Sequence, residues 1–348
     1  MKILHKIVLA AALFLSVSCA KENNEPTQEQ ELPAVITVGA TSRFLGDENG
    51  DPEDFYINSL RILGYRTSNG TLAFNEMVVG LPASGANANT IDKKVDVITG
   101  NFTIIFIANE HEDPELSAFL QIINPIDPVT NKIAFLRRRA FSHTAFDATK
   151  NIPMSLIKEN ITIYADDTLI DPTQNSGNPI SKWFVKLIRM GIRIDVKLSL
   201  TDDQKTAWLG VADPGIVYFD NIPEMVYIFP DINNYSAATM LTKNVTLAPA
   251  TPPQDSHGLM WVFRKQRIML PETNSPTLTE PQALTMRILE GAATPREGVI
   301  TSGPGVYTIP RNHFVEVKAG ISTAVVISAL VSPWVNVTVD EDSLEGPI

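Results

Sequence analysis

The chain has 348 residues, 28 basic and 39 acidic, for a formal net charge of −11. That balance offers no basic patch able to offset phosphates, which excludes nucleic acid as a partner. A single cysteine excludes an internal disulfide, and the length is too great for one sandwich but suits two domains.

The chain opens with a short basic region, Lys2, His5 and Lys6, followed by an apolar run over residues 7–17. About eleven residues is the length of a signal-peptide core and too short for a spanning helix, which needs about 20. Ser16, Val17 and Ser18 then lead into Cys19, the only cysteine. This junction resembles a bacterial lipobox. The resemblance implies that residues 1–18 are a lipoprotein signal peptide and that Cys19 carries a lipid holding the protein to the outer membrane. Each buried CH₂ of such a chain contributes about 0.8 kcal/mol. The alternative is an ordinary secretory signal in which Cys19 is incidental. Residues 19–34 hold almost no apolar side chains and read as a disordered tether. Their acidic stretch resembles the surface-export signal of Bacteroidetes lipoproteins.

Beyond the tether the pattern is that of strands. "VITVGATSR" sets Ile36, Val38 and Ala40 on one face and ends in Arg43. Further candidates in chain order are "YINSLRILGY", "LAFNEMVVG", "NFTIIFIAN", "ENITIYA", "GIVYFDN", "MVYIF", "LMWVFRKQRIML", "ALTMRILEG", "HFVEVKA", "TAVVISALV" and "WVNVTVD". "PELSAFLQII" reads as a helix. "DPTQNSGNP", residues 171–179, is rich in turn formers and predicts a linker between an N-terminal domain (35–179) and a C-terminal one (180–348). Over 188–200 every even position is apolar, which predicts one half-buried strand bent at Gly191. A short helix, capped by Thr201 and stopped by Gly210, is expected after it. Near the C-terminus, Val325, Ile327, Ala329 and Val331 form one apolar face. After Ser332–Pro333, Val335, Val337 and Val339 form another. The composition as a whole predicts an all-β protein of two sandwich domains with one or two short helices.

No catalytic or metal constellation assembles. Asp47, Asn49 and Asp51 have the first spacings of a calcium loop, but Pro52 replaces its glycine and Asn58 its bidentate Glu, so a solvated loop is the better reading. His5, His111, His143, His257 and His313 show no metal spacing. Ser142, His143 and Asp147 are too close in sequence for a triad, and no nucleophile elbow is present. "FLRRRAFSH" reads as a solvated edge or a protease-accessible loop. Asp166–Asp167 and Asp202–Asp203 sit in turn or capping contexts. Nothing calls for a cofactor, and an enzyme is the least favoured class.

Several segments are similar to the fimbrillin family of Bacteroidetes, lipoprotein precursors of type V pili. They are "INSLRILGYRTSNGTLAFN", "GNFTIIFIANE", "IPMS", "VKLIRMGIRIDVKL", "IPRNHFVEVKAGI" and "VSPWVNVTV", in that order over about residues 35–340. The resemblance implies two transthyretin-like β-sandwich domains and a structural subunit of a cell-surface fimbrium serving adhesion or biofilm formation. It also implies assembly by strand exchange. A protease cuts after Arg43, the first strand leaves, and the groove accepts a C-terminal donor strand from another copy or a related subunit. Val325, Ile327, Ala329, Val331, Val335, Val337 and Val339 would then be the donor residues. The surface ligand, host or bacterial, is not specified. Two alternatives stand beside it: an anchor or tip component that keeps its first strand, and a surface glycan-binding lipoprotein. The glycan reading needs exposed aromatics among Trp183, Trp208, Trp261 and Trp334, of which Trp183 and Trp261 lie in strand-like contexts that favour the core.

Overall fold

A computed structural model describes residues 31–41, 56–79, 90–200, 216–234, 239–247, 261–273, 275, 277–288, 296–321 and 325–333. In chain order the first half contains β1 (Pro33–Thr41), β2 (Leu60–Arg66), β3 (Leu72–Val78), β4 (Thr90–Ile98), β5 (Gly100–Ala108), helices α1 (Pro114–Ile122) and α2 (Ile133–Leu136), β6 (Ala140–Ser142), β7 (Met154–Ile163), β8 (Leu169–Ile170), β9 (Lys182–Lys186) and β10 (Ile188–Arg189). The second contains β11 (Gly191–Leu200), β12 (Ile216–Ile222), β13 (Met225–Tyr227), β14 (Leu241–Thr246), β15 (Trp261–Pro271), β16 (Thr285–Ile288), β17 (Arg296–Val299), β18 (His313–Ile321) and β19 (Val325–Pro333). The all-β, two-sandwich expectation holds.

In the first sandwich a sheet ordered β4-β1-β9 faces one ordered β10-β7-β5-β2-β3, with β8 added beside β7. Ile36 and Val38 of β1, Val95 and Val97 of β4, and Trp183 and Val185 of β9 share one core with Ile62, Phe74, Phe102, Ile104 and Phe106 from the facing sheet. The second sandwich packs β15-β11-β18-β19 against β14-β12-β16-β17. Ile192, Ile194, Val196 and Leu198 meet Val217, Phe219, Met286 and Ile288 in its core.

The larger sheet of the first sandwich is buried on both faces. Its far side, Leu63, Tyr65, Ile105 and Ile107, packs under α1, α2, Phe141 and Phe146, together with Val226, Ile228 and Phe229 from the second half. This is why β5 ends in the unbroken apolar run "IIFIA": strands covered on both faces lose their alternation. Asp113 caps α1 by accepting from Leu116 N–H, and Pro114 occupies the first turn.

The domain boundary differs from the expected one. Residues 171–179 are not a linker. Asp171 is fully buried and accepts from Thr173 N–H (2.9 Å), Thr173 Oγ1 (2.6 Å) and Trp183 Nε1 (2.9 Å), with Lys158 Nζ 3.1 Å away. The turn formers there fold the chain back so that β9 can join β1. The first core therefore runs on to Leu187 and the second begins at Ile192. The period-two run over 188–200 is likewise two strands. β10 pairs with β7 in the first sandwich, while β11 pairs with β15 and β18 in the second. Gly191, at the crossing, is required by space: a Cβ there would lie 2.8 Å from the Phe146 ring and 3.0 Å from the Leu270 carbonyl oxygen.

Two arginines lock this joint in opposite directions. Arg189 of the first half, fully buried, donates to Asn312 Oδ1 of the second (3.0 Å). Arg311 of the second donates to Ser155 Oγ of the first (3.2 Å) and to the Tyr227 carbonyl (2.9 Å), and pairs with Glu272.

The "FLRRRAFSH" stretch is also part of the joint rather than a solvated edge. β6 pairs with β13 of the second half. The Arg139 guanidinium lies 3.8 Å from the Phe119 ring centroid, and Arg137 lies 4.7 Å from that of Phe229 while pairing with Asp231. Such stacking sets each cation against the electron-rich face of a ring.

Candidate functional site

The sequence places its functional weight on a strand at each end. β1 alternates as read, with Ala34, Ile36, Val38 and Ala40 all 4% exposed or less. Its place in the sheet is not the edge that removal of a terminal strand suggests. β1 lies between two neighbours, antiparallel to β4 from Pro33↔Ile98 to Thr41↔Thr90 and parallel to β9 from Thr37↔Lys182 to Thr41↔Lys186. Both ends are fastened as well. Val35 N–H donates to Asp167 Oδ1 (2.8 Å) and the Thr41 carbonyl accepts from Leu187 N–H (2.8 Å).

Beneath β1 the Trp183 indole is fully buried, edge-on to Phe106 at 5.2 Å between centroids, with its N–H on Asp171. Burial opposes the charged form of Asp171. The hydrogen bonds from Thr173 and Trp183 and the Lys158 ammonium outweigh it and hold the carboxyl below the usual range. Trp183 therefore cannot serve as an exposed stacking platform.

Over the outer face of β1, Lys182 of β9 reaches across to pair with Asp92 of β4, and the Phe184 ring lies against Gly39. Sequence reasoning missed this group. β4 is disguised by its "DKK" run, and the short "KWFVK" carries only the alternation of Trp183 and Val185 as a signal.

At the other end, β19 pairs antiparallel with β18 from His313↔Pro333 to Ile321↔Val325, and among the described strands β18 is its only ladder partner. Ala329 and Val331 are part-buried against the second core, while Leu330 on the opposite face is 65% exposed. Val325 and Ile327 belong to the same strand, in register with Ile321 and Ala319. Cys19, Arg43, Val335, Val337 and Val339 lie outside the described residues, as do Asp47, Asn49 and Asp51 of the acidic loop and the expected 201–210 helix.

The remaining candidates are structural where they are described. Ser142 Oγ accepts from Thr144 N–H, its own N–H donates to Asp113, and Asp147 binds Thr149, so no triad forms. Asp166 closes a turn on Thr168. Among the described residues no group of three or more His, Cys, Asp or Glu could hold a metal ion, and no helix is long and apolar enough to cross a membrane.

No protein-family model matches the sequence, and no curated protein matches it. Solved structures do. The tip fimbrial protein Mfa3 of Porphyromonas gingivalis, with a C-terminal truncation, has a TM-score of 0.54 at 14% identity, covering 87% of this chain and 100% of its own. A candidate cell adhesion protein of Parabacteroides distasonis scores 0.52 at 13% identity, covering 86% and 97%. The fimbrilin FimA of P. gingivalis W83 scores 0.51 at 12% identity, covering 87% and 97%. At these identities the likeness is one of fold. The chain has the fold shared by these fimbrial and adhesion proteins of Porphyromonas and Parabacteroides.

Proposed function

We propose that the protein is a structural subunit of a cell-surface fimbrium, joined to its neighbours by donor-strand exchange and serving adhesion. The observation that carries this reading is the internal place of β1. Loss of that strand would leave β4 and β9 with unpaired ladders facing each other across an uncovered core. Ile36 and Val38 alone contribute about 1.5–3 kcal/mol each by burial. Such a gap is filled by another strand, whose backbone restores both ladders and whose alternate side chains restore the core. The fold likeness to fimbrial proteins supports the same reading.

In this reading Cys19 carries the lipid that holds the precursor at the outer membrane. A trypsin-like or Arg-specific protease cuts after Arg43, two residues past the end of β1. Another copy or a related subunit then supplies its C-terminal strand. Cutting the purified protein after Arg43 should convert monomer into SDS-resistant ladders. Arg43→Ala should remain monomeric, and deletion of residues 323–348 should give a cleavable chain that cannot donate. Fatty-acid labelling should mark the wild type and miss Cys19→Ala. If the cut protein stays folded and monomeric while Arg43→Ala cells behave like wild type, the shaft role is wrong and the anchor or glycan-binding readings move ahead.

A further inference from the structure

The backbone at Gly39 does not itself require glycine, because its φ lies outside the left-handed region. The space does. A Cβ built on Gly39 would stand 2.7 Å from Phe184 Cδ1 and 2.8 Å from Cε1. Gly39 sits in register with Phe184 on one side and Asp92 on the other. The Lys182 ammonium, paired with Asp92, also lies 4.9 Å from the Phe184 ring centroid. Ring and ion pair together form a clasp over the outer face of β1, passing above two of its outward positions, Thr37 and Gly39.

We propose that the Phe184 ring of this clasp sets the register of whatever strand fills the groove, by admitting only a minimal side chain at the place of Gly39. The occupant in an assembled chain is then the β19 segment of a second copy, running in the direction of β1 with Ser328 beneath Phe184. The proposal rests on the donor-strand reading above. In this register Val325, Ile327 and Ala329 take the places of Ile36, Val38 and Ala40, so the interior receives one Val, one Ile and one Ala in either case. Volume-conserving exchanges of this kind are the ones cores tolerate best. A slip of two residues either way would set Val326 or Leu330 under the ring. Seating residues 335–339 instead would put Asn336 or Thr338 there. A slip of one would turn the aliphatic face outward.

Ser328 fits less well than Gly39, because its Cβ must push the ring aside. Phe184 is 50% exposed and has room to swing outward. The chain's own β1 is therefore the better occupant, and it keeps the groove until it is cut away. β19 is the strand to be donated, since among the described strands it has one ladder partner, β18, and its inward Ala329 and Val331 are only part-buried.

Two arms test this. In the uncut full-length protein, Gly39→Val should speed hydrogen exchange of the β1 amides about tenfold or more, and adding Phe184→Ala should restore most of the protection. If Gly39→Val loosens β1 equally with and without Phe184, the proposal is overturned whatever the mode of assembly. In the second arm, chains cut after Arg43 carry Asp92→Cys together with Ser328→Cys, Val326→Cys or Leu330→Cys. Directly opposed residues on neighbouring antiparallel strands are close enough for a disulfide. Intermolecular cross-links should form with Ser328→Cys alone. Ladders that cross-link through position 326 or 330 would overturn the register while leaving strand exchange standing. Absence of any ladder would remove the donor-strand reading and the second-copy occupant together, and the first arm would still judge the role of Phe184.

Discussion

β1 and β19 are both nine residues long and both alternate aliphatic side chains, yet they are held in opposite ways. β1 has a partner on each side, and its inward side chains are almost wholly shielded from water. β19 has one described ladder partner, and its inward Ala329 and Val331 are only part-buried. The difference comes from neighbours rather than composition. A strand flanked by β4 and β9 over Trp183 and Phe106 is core, while the same kind of strand at a sheet margin is a half-open cover.

The sharpest way to break the comparison is to place a charge inside each strand. Ile36→Asp buries a carboxylate with no partner and should cost about 4 kcal/mol or more, enough to expel β1 or unfold the first sandwich. Ala329→Asp, which retains access to water, should cost about half as much or less by the same reasoning. Urea unfolding of both variants measures the ratio, and equal losses would remove the distinction between the two strands.

Truncation should show the same order on a smaller scale. Ile36→Ala leaves a sealed cavity and should cost about 2–4 kcal/mol, whereas Val331→Ala at a half-open site should cost about 1 kcal/mol. Denaturant midpoints at unchanged slope would establish both.

Asp171 sharpens the comparison through pH. Its folded carboxyl is held below the usual range, so the stability it adds is complete above the ordinary carboxylate value near about 3.9 and fades as pH falls through the lower folded value. Asp171→Asn should lower stability at neutral pH and flatten the acid side of the stability profile. Thermal midpoints of wild type and variant should converge on acidification, and parallel profiles would contradict this assignment.

The smallest effect belongs to the outer ion pair. Lys182 and Asp92 are 40% and 54% exposed, so Lys182→Ala should cost a few tenths of a kcal/mol, and less still in high salt. A loss that ignores ionic strength would mean the lysine stem on Phe184, rather than its charge, carries the contact.

Much of this fold is legible in the residues. The alternation of Ile36, Val38 and Ala40 gives the inward face of β1, and the even positions from Ile192 to Leu198 give that of β11. The α1 helix is legible in "PELSAFLQII". Sheet order is another matter. β1 takes its neighbours from residues 90–98 and 182–186, and no local pattern says that three such distant segments lie side by side. β4 hides behind Asp92, Lys93 and Lys94, whose charges face water while Val95 and Val97 turn inward. The turn formers at 171–179 look like a linker because turn chemistry is the same whether the chain leaves a domain or folds back into it. Arg189 and Arg193 read as outward residues by period, yet both are buried, because the joint between the sandwiches and the packing beside it cover what an isolated sheet would expose.

The two ladders of β1 also decide how a strand in that position answers traction. A pull along the strand axis is shared by the hydrogen bonds to β4 and β9 at once, so nothing slides until many fail together. β19, tugged away from β18 at one end, opens rung by rung, and each step needs only the rupture of the next bond. Under the proposed strand exchange, a shear-resistant seat at one end of the chain and a zipper at the other would suit linkage under tension: β19 would peel from its own sheet under little force and, once seated between two neighbours in the next molecule, would bear a far greater one.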